Sequence, residues 1–171
     1  MGSTVKGTFS NLTSAQTITL ETPVTARYFK FIPLSEMHGR KWASAAELDV
    51  SILKNISGAS QRQTVVSADS DADNSMKLAA DGNINSYWHT VHNQFYIAPY
   101  PHEVHLALSQ EATVKGIRYT PRQDSEEGRI ASYEVYTSKD GQNWGKPIAS
   151  GTFATGKATQ TVEFAPAGHA M

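Results

Sequence analysis

Tyr133-Glu-Val-Tyr-Thr-Ser-Lys-Asp-Gly-Gln-Asn-Trp144 is the stretch that decides the fold. Its first half sets Tyr133, Val135 and Thr137 on one side of an extended chain and Glu134 and Tyr136 on the other. Its second half, Lys139 to Asn143, carries Asp-Gly at the centre of a hairpin-type turn. Working outward, short runs rich in β-branched and aromatic residues recur at 17–21, 27–32, 103–108, 114–119, 132–137 and 159–164. Clusters of Gly, Pro, Asn and Asp separate them, so each reads as a strand. No segment keeps a 3.6-residue apolar period over three turns, and helix is predicted only as short pieces at 44–48 and 75–80. The pattern predicts an all-β chain, an antiparallel β-sandwich.

The bulk numbers exclude several functions. At 171 residues the chain suits one sizeable core, so 1–171 reads as one domain. Fifteen Lys and Arg against 16 Asp and Glu leave a net charge of −1, without the basic stripe that nucleic acid attracts. No polybasic run favours a membrane surface and no apolar stretch is long enough to span one. With no cysteine there is no disulfide frame, thiolate metal site or cysteine nucleophile. No charged region followed by an apolar one marks a signal peptide. Met1-Gly2-Ser3 resembles an expression leader, and a piece of a longer protein is expected.

The chain also repeats itself. Gly7-Thr8-Phe9 matches Gly151-Thr152-Phe153 and Gln16-Thr17 matches Gln160-Thr161, both offset by 144 residues. An offset of about one domain length is expected of a tandem array cut out of phase with its repeats, although Thr-rich strands also match by chance.

Four segments carry a family resemblance. They are Ala79-Ala-Asp-Gly-Asn-Ile-Asn-Ser-Tyr-Trp-His-Thr90, then Tyr119-Thr-Pro-Arg-Gln-Asp124 running to Gly128-Arg-Ile130, and Tyr133 to Trp144. The fourth is Ala26-Arg-Tyr-Phe-Lys-Phe-Ile-Pro-Leu-Ser-Glu36 with Trp42-Ala-Ser-Ala-Ala-Glu47. Together they resemble the coagulation factor 5/8 type C (discoidin-like) domains, in particular their bacterial carbohydrate-binding-module branch. The resemblance implies a jelly-roll, galactose-binding-like β-sandwich. It also implies a permuted order, because the Ala26 to Glu47 segment closes the domain in that family and comes first here. Residues 4–54 would then supply the closing strands to the body, 55–171, within one molecule or by exchange with a neighbour. Closure within one molecule is expected, with the Gly7 and Gly151 segments competing for one strand slot and the loser left as a frayed or added edge strand.

By the same resemblance, a structural calcium ion is expected on the side chain of Asp81, oxygens of Leu78, Asn83 and Ser86, the backbone of Ala46, and Glu47. The chemistry suits a hard cation, since Asp81 to Ser86 crowds oxygen donors into a tight turn and two carboxylates neutralise the charge. An ordinary Asp-Gly turn with an unrelated Glu is the other reading. Such an ion would clamp the two permuted pieces together.

Sugar binding needs planar polar groups for paired hydroxyls and an aromatic ring for the apolar face. The resemblance implies His89 and Arg122 as the polar pair, joined by an acid for which Asp69 fits best, with Asp71 and Asp73 as rivals. His92 stands where an aromatic platform is common, so stacking falls to Trp42, Phe95, Tyr96 or Tyr100. Core packing of His89, an ion pair of Arg122 with Asp124 or Glu126, and core burial of Trp42 remain open beside these roles. His38 and Glu36 share the Trp42 loop and are weaker candidates. Trp88 and Trp144 read as core. The implied ligand is a terminal galactose or N-acetylhexosamine, bound at roughly 10⁻³ to 10⁻⁵ M. Tandem neighbours, or a catalytic domain in a secreted parent protein, are the implied companions, and arrays gain through multivalency.

Catalysis has little support. Pro101-His-Glu-Val-His105 lacks the spacing of a helical zinc-protease motif, no nucleophile elbow or phosphate loop is present, and Glu126 and Glu127 are adjacent rather than facing. The rival to sugar binding is a protein- or phospholipid-binding adhesion module, for which Gln94-Phe-Tyr-Ile-Ala-Pro-Tyr100 offers exposed apolar side chains.

Overall fold

A strand that alternates apolar and polar residues can bury one face only, and the longest strand shows how this chain uses that rule. The computed structural model describes residues 17–20, 23–55, 62–153 and 155–164. Strand β7, Val104–Thr120, buries Val104, Leu106 and Leu108, crosses an exposed Ser109 and Gln110, and then buries Ala112, Val114 and Ile117. The runs expected separately at 103–108 and 114–119 are therefore one strand. The polar residues between them interrupt the buried pattern without ending the strand, and are not a turn.

All other main strands are organised around β7. Its first half pairs with β5 (Gln63–Ala68) on one side and β2 (Val24–Pro33) on the other. Its second half pairs with β4 (Glu47–Asn55), with the start of β2 at Ala112–Val114, and with β10 (Gln160–Phe164). From β2 the sheet continues to β8 (Ser132–Ser138) and β9 (Ala149–Thr152), all antiparallel. The exception is the edge strand β1, Thr17–Leu20, which lies parallel to β10 with Thr17 opposite Thr161. That register sets Thr17 opposite its own repeat counterpart, at the 144-residue offset. Gly7-Thr8-Phe9 lies outside the described residues. Its counterpart sends Phe153 into the core, against Tyr133 at 4.2 Å and Tyr119 at 4.7 Å, with Phe31 beyond. Each such buried ring contributes about 2–3 kcal/mol, against less than about 1 for an exposed ion pair such as Arg118 with Asp49. The apolar core, not surface charge, holds the layers together.

The helix expected at 44–48 is absent. Ser44–Ala45 forms β3, paired with β6 (Trp88–His89), and Glu47 opens β4. Ala43, Ala45, Ala46 and Leu48 are all fully buried, and a helix could not bury such a run on one face. Backbone partners decide the matter: Ala43 N–H donates to Thr90 Oγ1 at 3.0 Å, and Ser44 N–H to the Gly128 carbonyl at 2.8 Å. The second expected helical piece lies within 3-10 turns at Ala72–Ala80, interrupted by left-handed Asp73 and Asn74. Trp88 is core, its indole N–H donating to the Ser70 carbonyl at 3.0 Å. Trp144 is not. It lies half-buried on the outer face, where its ring meets His105 at 5.2 Å and the Lys30 ammonium at 5.3 Å.

Gly128 marks where the Ala43–Ser44 backbone comes closest. Its φ is +75°, and a Cβ there would lie 2.7 Å from Ser44 Oγ and 2.9 Å from Ser44 N. Gly128→Ala is expected to cost roughly 3 kcal/mol or more, from left-handed strain added to overpacking, measured as a lower urea midpoint at unchanged slope.

Candidate functional site

Strand β6 is two residues long, and its period of two points Trp88 inward and Tyr87 and His89 outward. The His89 ring directs Nδ1 to the Thr90 carbonyl at 3.2 Å, and His92 directs its own Nδ1 to that same carbonyl at 3.1 Å. A carbonyl only accepts, so both rings carry their proton on Nδ1 there, and both Nε2 atoms remain for other partners. The two imidazoles meet edge to face at 5.5 Å. Trp42 stacks on His92 at 5.0 Å and 18°, and Tyr87 lies 5.7 Å from His89 on the other side. The Arg122 guanidinium sits 4.1 Å over the Tyr87 ring. Trp42, His92, His89, Tyr87 and Arg122 thus form one chain of half-buried planar groups drawn from three separate loops. Tyr87 was missed by sequence reasoning, although its place two residues before His89, just ahead of β6, was a legible signal.

Arg122 is also an ion-pair partner. Its Nε and Nη2 donate to the two oxygens of Asp124 at 2.5 and 3.0 Å. That pairing holds Arg122 firmly charged and keeps the Asp124 carboxyl below its ordinary range. The ion pair uses Nε and Nη2 at the edge of the guanidinium while its face covers Tyr87, so the two coexist, and no described residue accepts from Nη1.

The three candidate acids separate clearly. Asp69 accepts from the Glu103 amide at 2.8 Å and faces His102 Nδ1 at 3.2 Å. Burial works to raise its carboxyl, but those two partners hold it below the ordinary range. Asp71 accepts from Ser75 Oγ and the Met76 amide. Asp73 is 94% exposed with Oδ2 3.9 Å from His89 Nε2, so it is the carboxylate that stands at the His89 ring. Of the other platform candidates, Tyr100 is turned inward to donate its hydroxyl to the Trp42 carbonyl at 2.9 Å. Phe95 and Tyr96 occupy a hairpin tip in which both amides donate to Asn93 Oδ1, and Phe95 is 88% exposed. His38 lies 3.5 Å from Glu126, while Glu36 is buried, accepting the amides of His38 and Arg40.

A second cluster lies just before Tyr87. Asp81 Oδ1 accepts the Asn83 amide, and Ser86 Oγ lies 2.8 Å from Asp81 Oδ2 and 2.9 Å from the Asn83 carbonyl. Burial would raise the Asp81 carboxyl, but Ser86 and the Asn83 amide hold it below its ordinary range. Glu47 reaches the same place from β4. It is only 4% exposed, and neither carboxylate oxygen has a hydrogen-bond partner among the described residues. Desolvation, with the Asp81 carboxylate beside it, pushes its pKa up to about 7. Two carboxylates both accept, so neither satisfies the other unless one holds a proton. Ala46, with its amide on the Thr120 carbonyl, adjoins Glu47, and Leu78 lies in the 3-10 turns before the loop. Among the described residues no three His, Asp or Glu side chains are grouped to hold a metal ion. A cation here would draw on carbonyl and hydroxyl oxygens beside Asp81 and Glu47, a hard donor set.

Sequence comparison assigns the architecture. Residues 60–170 match the family model of the F5/8 type C domain. The chain is 42% identical over 84 residues to a sialidase of Micromonospora viridifaciens, covering 49% of this chain and 13% of that protein. It is 34% identical over 110 residues to a galactose oxidase of Gibberella zeae, covering 63% and 16%. It is 36% identical over 88 residues to an A type blood N-acetyl-alpha-D-galactosamine deacetylase of Flavonifractor plautii, covering 50% and 11%. The match thus spans a small fraction of each relative's length. With a family model covering well over half of its residues, on an antiparallel β-sandwich, the chain belongs to the F5/8 type C domain family.

Proposed function

We propose that this domain is a non-catalytic carbohydrate-binding module that directs a secreted or surface-exposed parent protein to glycans bearing galactose or an N-acetylhexosamine. The observation that carries the reading is the row from Trp42 to Arg122, in which two imidazoles with fixed Nδ1 partners stand between an indole and a guanidinium stacked on Tyr87. Rings suit the apolar face of a sugar, and the outward Nε2 atoms and Nη1 suit its hydroxyls. Two of the relatives, a galactose oxidase and an N-acetylgalactosamine deacetylase, are named for these two sugars, and the third, a sialidase, for another glycan sugar. Asp73 joins His89 more readily than Asp69 does, because Asp69 is committed to His102.

Calcium belongs to this proposal. Asp81, Glu47 and Ser86, with backbone oxygens of Asn83, Ala46 and Leu78, would hold it and relieve the unpartnered buried carboxylate of Glu47. Its role is structural. The ion would join β4, from the N-terminal segment, to the loop that leads into Tyr87 and His89. In the same proposal, residues 4–54 close the sheet of their own molecule, and a monomer mass in solution is the expected result.

A glycan-array screen in calcium, repeated after chelation, tests the reading. Binding to galactose- or hexosamine-terminated glycans, weakened by chelation, is expected. Silence on the array together with pelleting on phosphatidylserine vesicles would favour the second reading, an adhesion module acting through the exposed tip Phe95-Tyr96-Ile97. Among the described residues no helix is long and apolar enough to cross a membrane.

A further inference from the structure

Two consecutive carbonyls in the Trp42 loop are each held by a side chain from the segment entering β7. The Tyr100 hydroxyl donates to the Trp42 carbonyl at 2.9 Å, and His102 Nε2 faces the Lys41 carbonyl at 3.1 Å. His102 is fully buried, and its Nδ1 faces Asp69 Oδ2 at 3.2 Å. Both ring nitrogens thus stand at hydrogen-bond distance from oxygen atoms, one on each side of the ring. The Tyr100 ring packs on this imidazole at 4.6 Å. One residue further along the loop, the Ala43 amide and carbonyl both pair with Thr90. The Trp42 side chain itself has little hold beyond its stack on His92, for its indole N–H is buried with no hydrogen-bond partner among the described residues. What the described residues hold here is the backbone on either side of the ring.

We propose that His102 is a positioning residue for the ligand platform: by holding the Lys41 carbonyl against the Asp69 side of the domain, it presents the Trp42 ring in line with His92 and His89. The proposal rests on the carbohydrate-binding reading for its purpose, but the geometry it asserts can be tested without any ligand. It also gives Asp69 a role, as the carboxylate that orients His102 instead of one that meets sugar.

Two substitutions divide the functions of the imidazole. In His102→Asn the amide nitrogen takes the place of Nδ1, keeping Asp69 and dropping the Lys41 carbonyl. In His102→Gln it takes the place of Nε2, keeping Lys41 and dropping Asp69. The three indole N–H resonances of the ¹⁵N-labelled domain report on the platform, with Trp42 assigned by Trp42→Phe. His102→Asn and Tyr100→Phe are expected to move or broaden the Trp42 resonance while Trp88 and Trp144 stay in place. They are also expected to weaken binding of methyl galactoside about tenfold, the scale of one lost hydrogen bond. His102→Gln is expected to restore both readouts to within about twofold of wild type, a difference of roughly 0.4 kcal/mol. An unmoved Trp42 resonance in His102→Asn and Tyr100→Phe, or a His102→Gln as impaired as His102→Asn, would overturn the assignment. Were His102→Asn not to fold, Tyr100→Phe and His102→Gln would still decide it. If the wild-type domain binds no galactoside, the glycan reading fails by itself and the Trp42 resonance still judges the role of His102.

Discussion

Removing calcium is expected to lower the unfolding free energy at neutral pH by about 4 kcal/mol when the ion had been present at about a thousand times its dissociation constant. The loss should itself depend on pH through Glu47. In the ion-free protein that carboxyl is pushed from 4.5 up to about 7 by burial and by Asp81. Between those two values the folded chain holds a proton that the unfolded chain has released. Ion-free stability therefore falls as pH rises from 4.5 to about 7, by about 3 kcal/mol, and is level above that window. Asp81 works in the other direction, because a carboxyl held low adds stability that is lost only as pH drops through its acidic folded value. Glu47→Gln should remove the neutral-range slope, make the ion-free protein more stable than wild type at pH 7.5, and abolish stabilisation by calcium. Urea midpoints at pH 5, 6 and 7.5, in calcium and in chelator, measure all three. Midpoints indifferent to calcium at every pH would end the case for the ion.

Truncating either polar end of the ring row should remove most glycan affinity. His89→Ala deletes the Nε2 left over once Nδ1 is committed to the Thr90 carbonyl, and Arg122→Ala deletes both the Nη1 donors and the cover over Tyr87. A lost hydrogen bond to a charged or polar partner is worth about 1.5–3 kcal/mol in such a site, so affinity should fall roughly 10- to 100-fold in each variant. From a millimolar start that is loss of detectable binding. Stability should barely change for His89→Ala and drop by less than about 1 kcal/mol for Arg122→Ala, whose ion pair with Asp124 is largely exposed at the acid. Asp73→Asn should weaken binding by calorimetry while Asp69→Asn acts mainly through His102. Undiminished binding in both alanine variants would move the ligand elsewhere, the Phe95 tip first.

The fold was legible because the signals that specify it are local. Alternation at 132–137 with Asp140-Gly141 after it became β8 and its turn, in which Asp140 accepts the amides of Gln142 and Asn143. The strands that escaped notice lack that contrast. Gln63–Ala68 alternates weakly, and its pairing with β7 is supported from the side by Gln63, whose amide bonds the Leu48 carbonyl and the Val50 amide on β4. At 44–48 helix propensity lost to partners more than forty residues away, Thr90 and Gly128, which no local window contains. Trp144 shows the same limit, since a large ring reads as core unless one knows that Lys30 and His105 wait for it on the outer face.

The site divides in the same way. Resemblance to the F5/8 type C motifs nominated His89, His92, Arg122, Trp42, Asp81 and Glu47, and the oxygen donors crowded into Asp81 to Ser86 suited a hard cation in their own right. Only the tertiary structure decided how they stand to one another: that His89 and His92 share one carbonyl, that Tyr87 bridges His89 to Arg122, that Asp69 belongs to His102, and that Glu47 is buried with no hydrogen-bond partner among the described residues. Alternation and turns are read over a few residues and survive in one dimension. The tautomer of a ring, the partner of a carboxylate and the burial of a charge are set by atoms that folding brings together from distant segments, so they exist only once the chain has closed on itself.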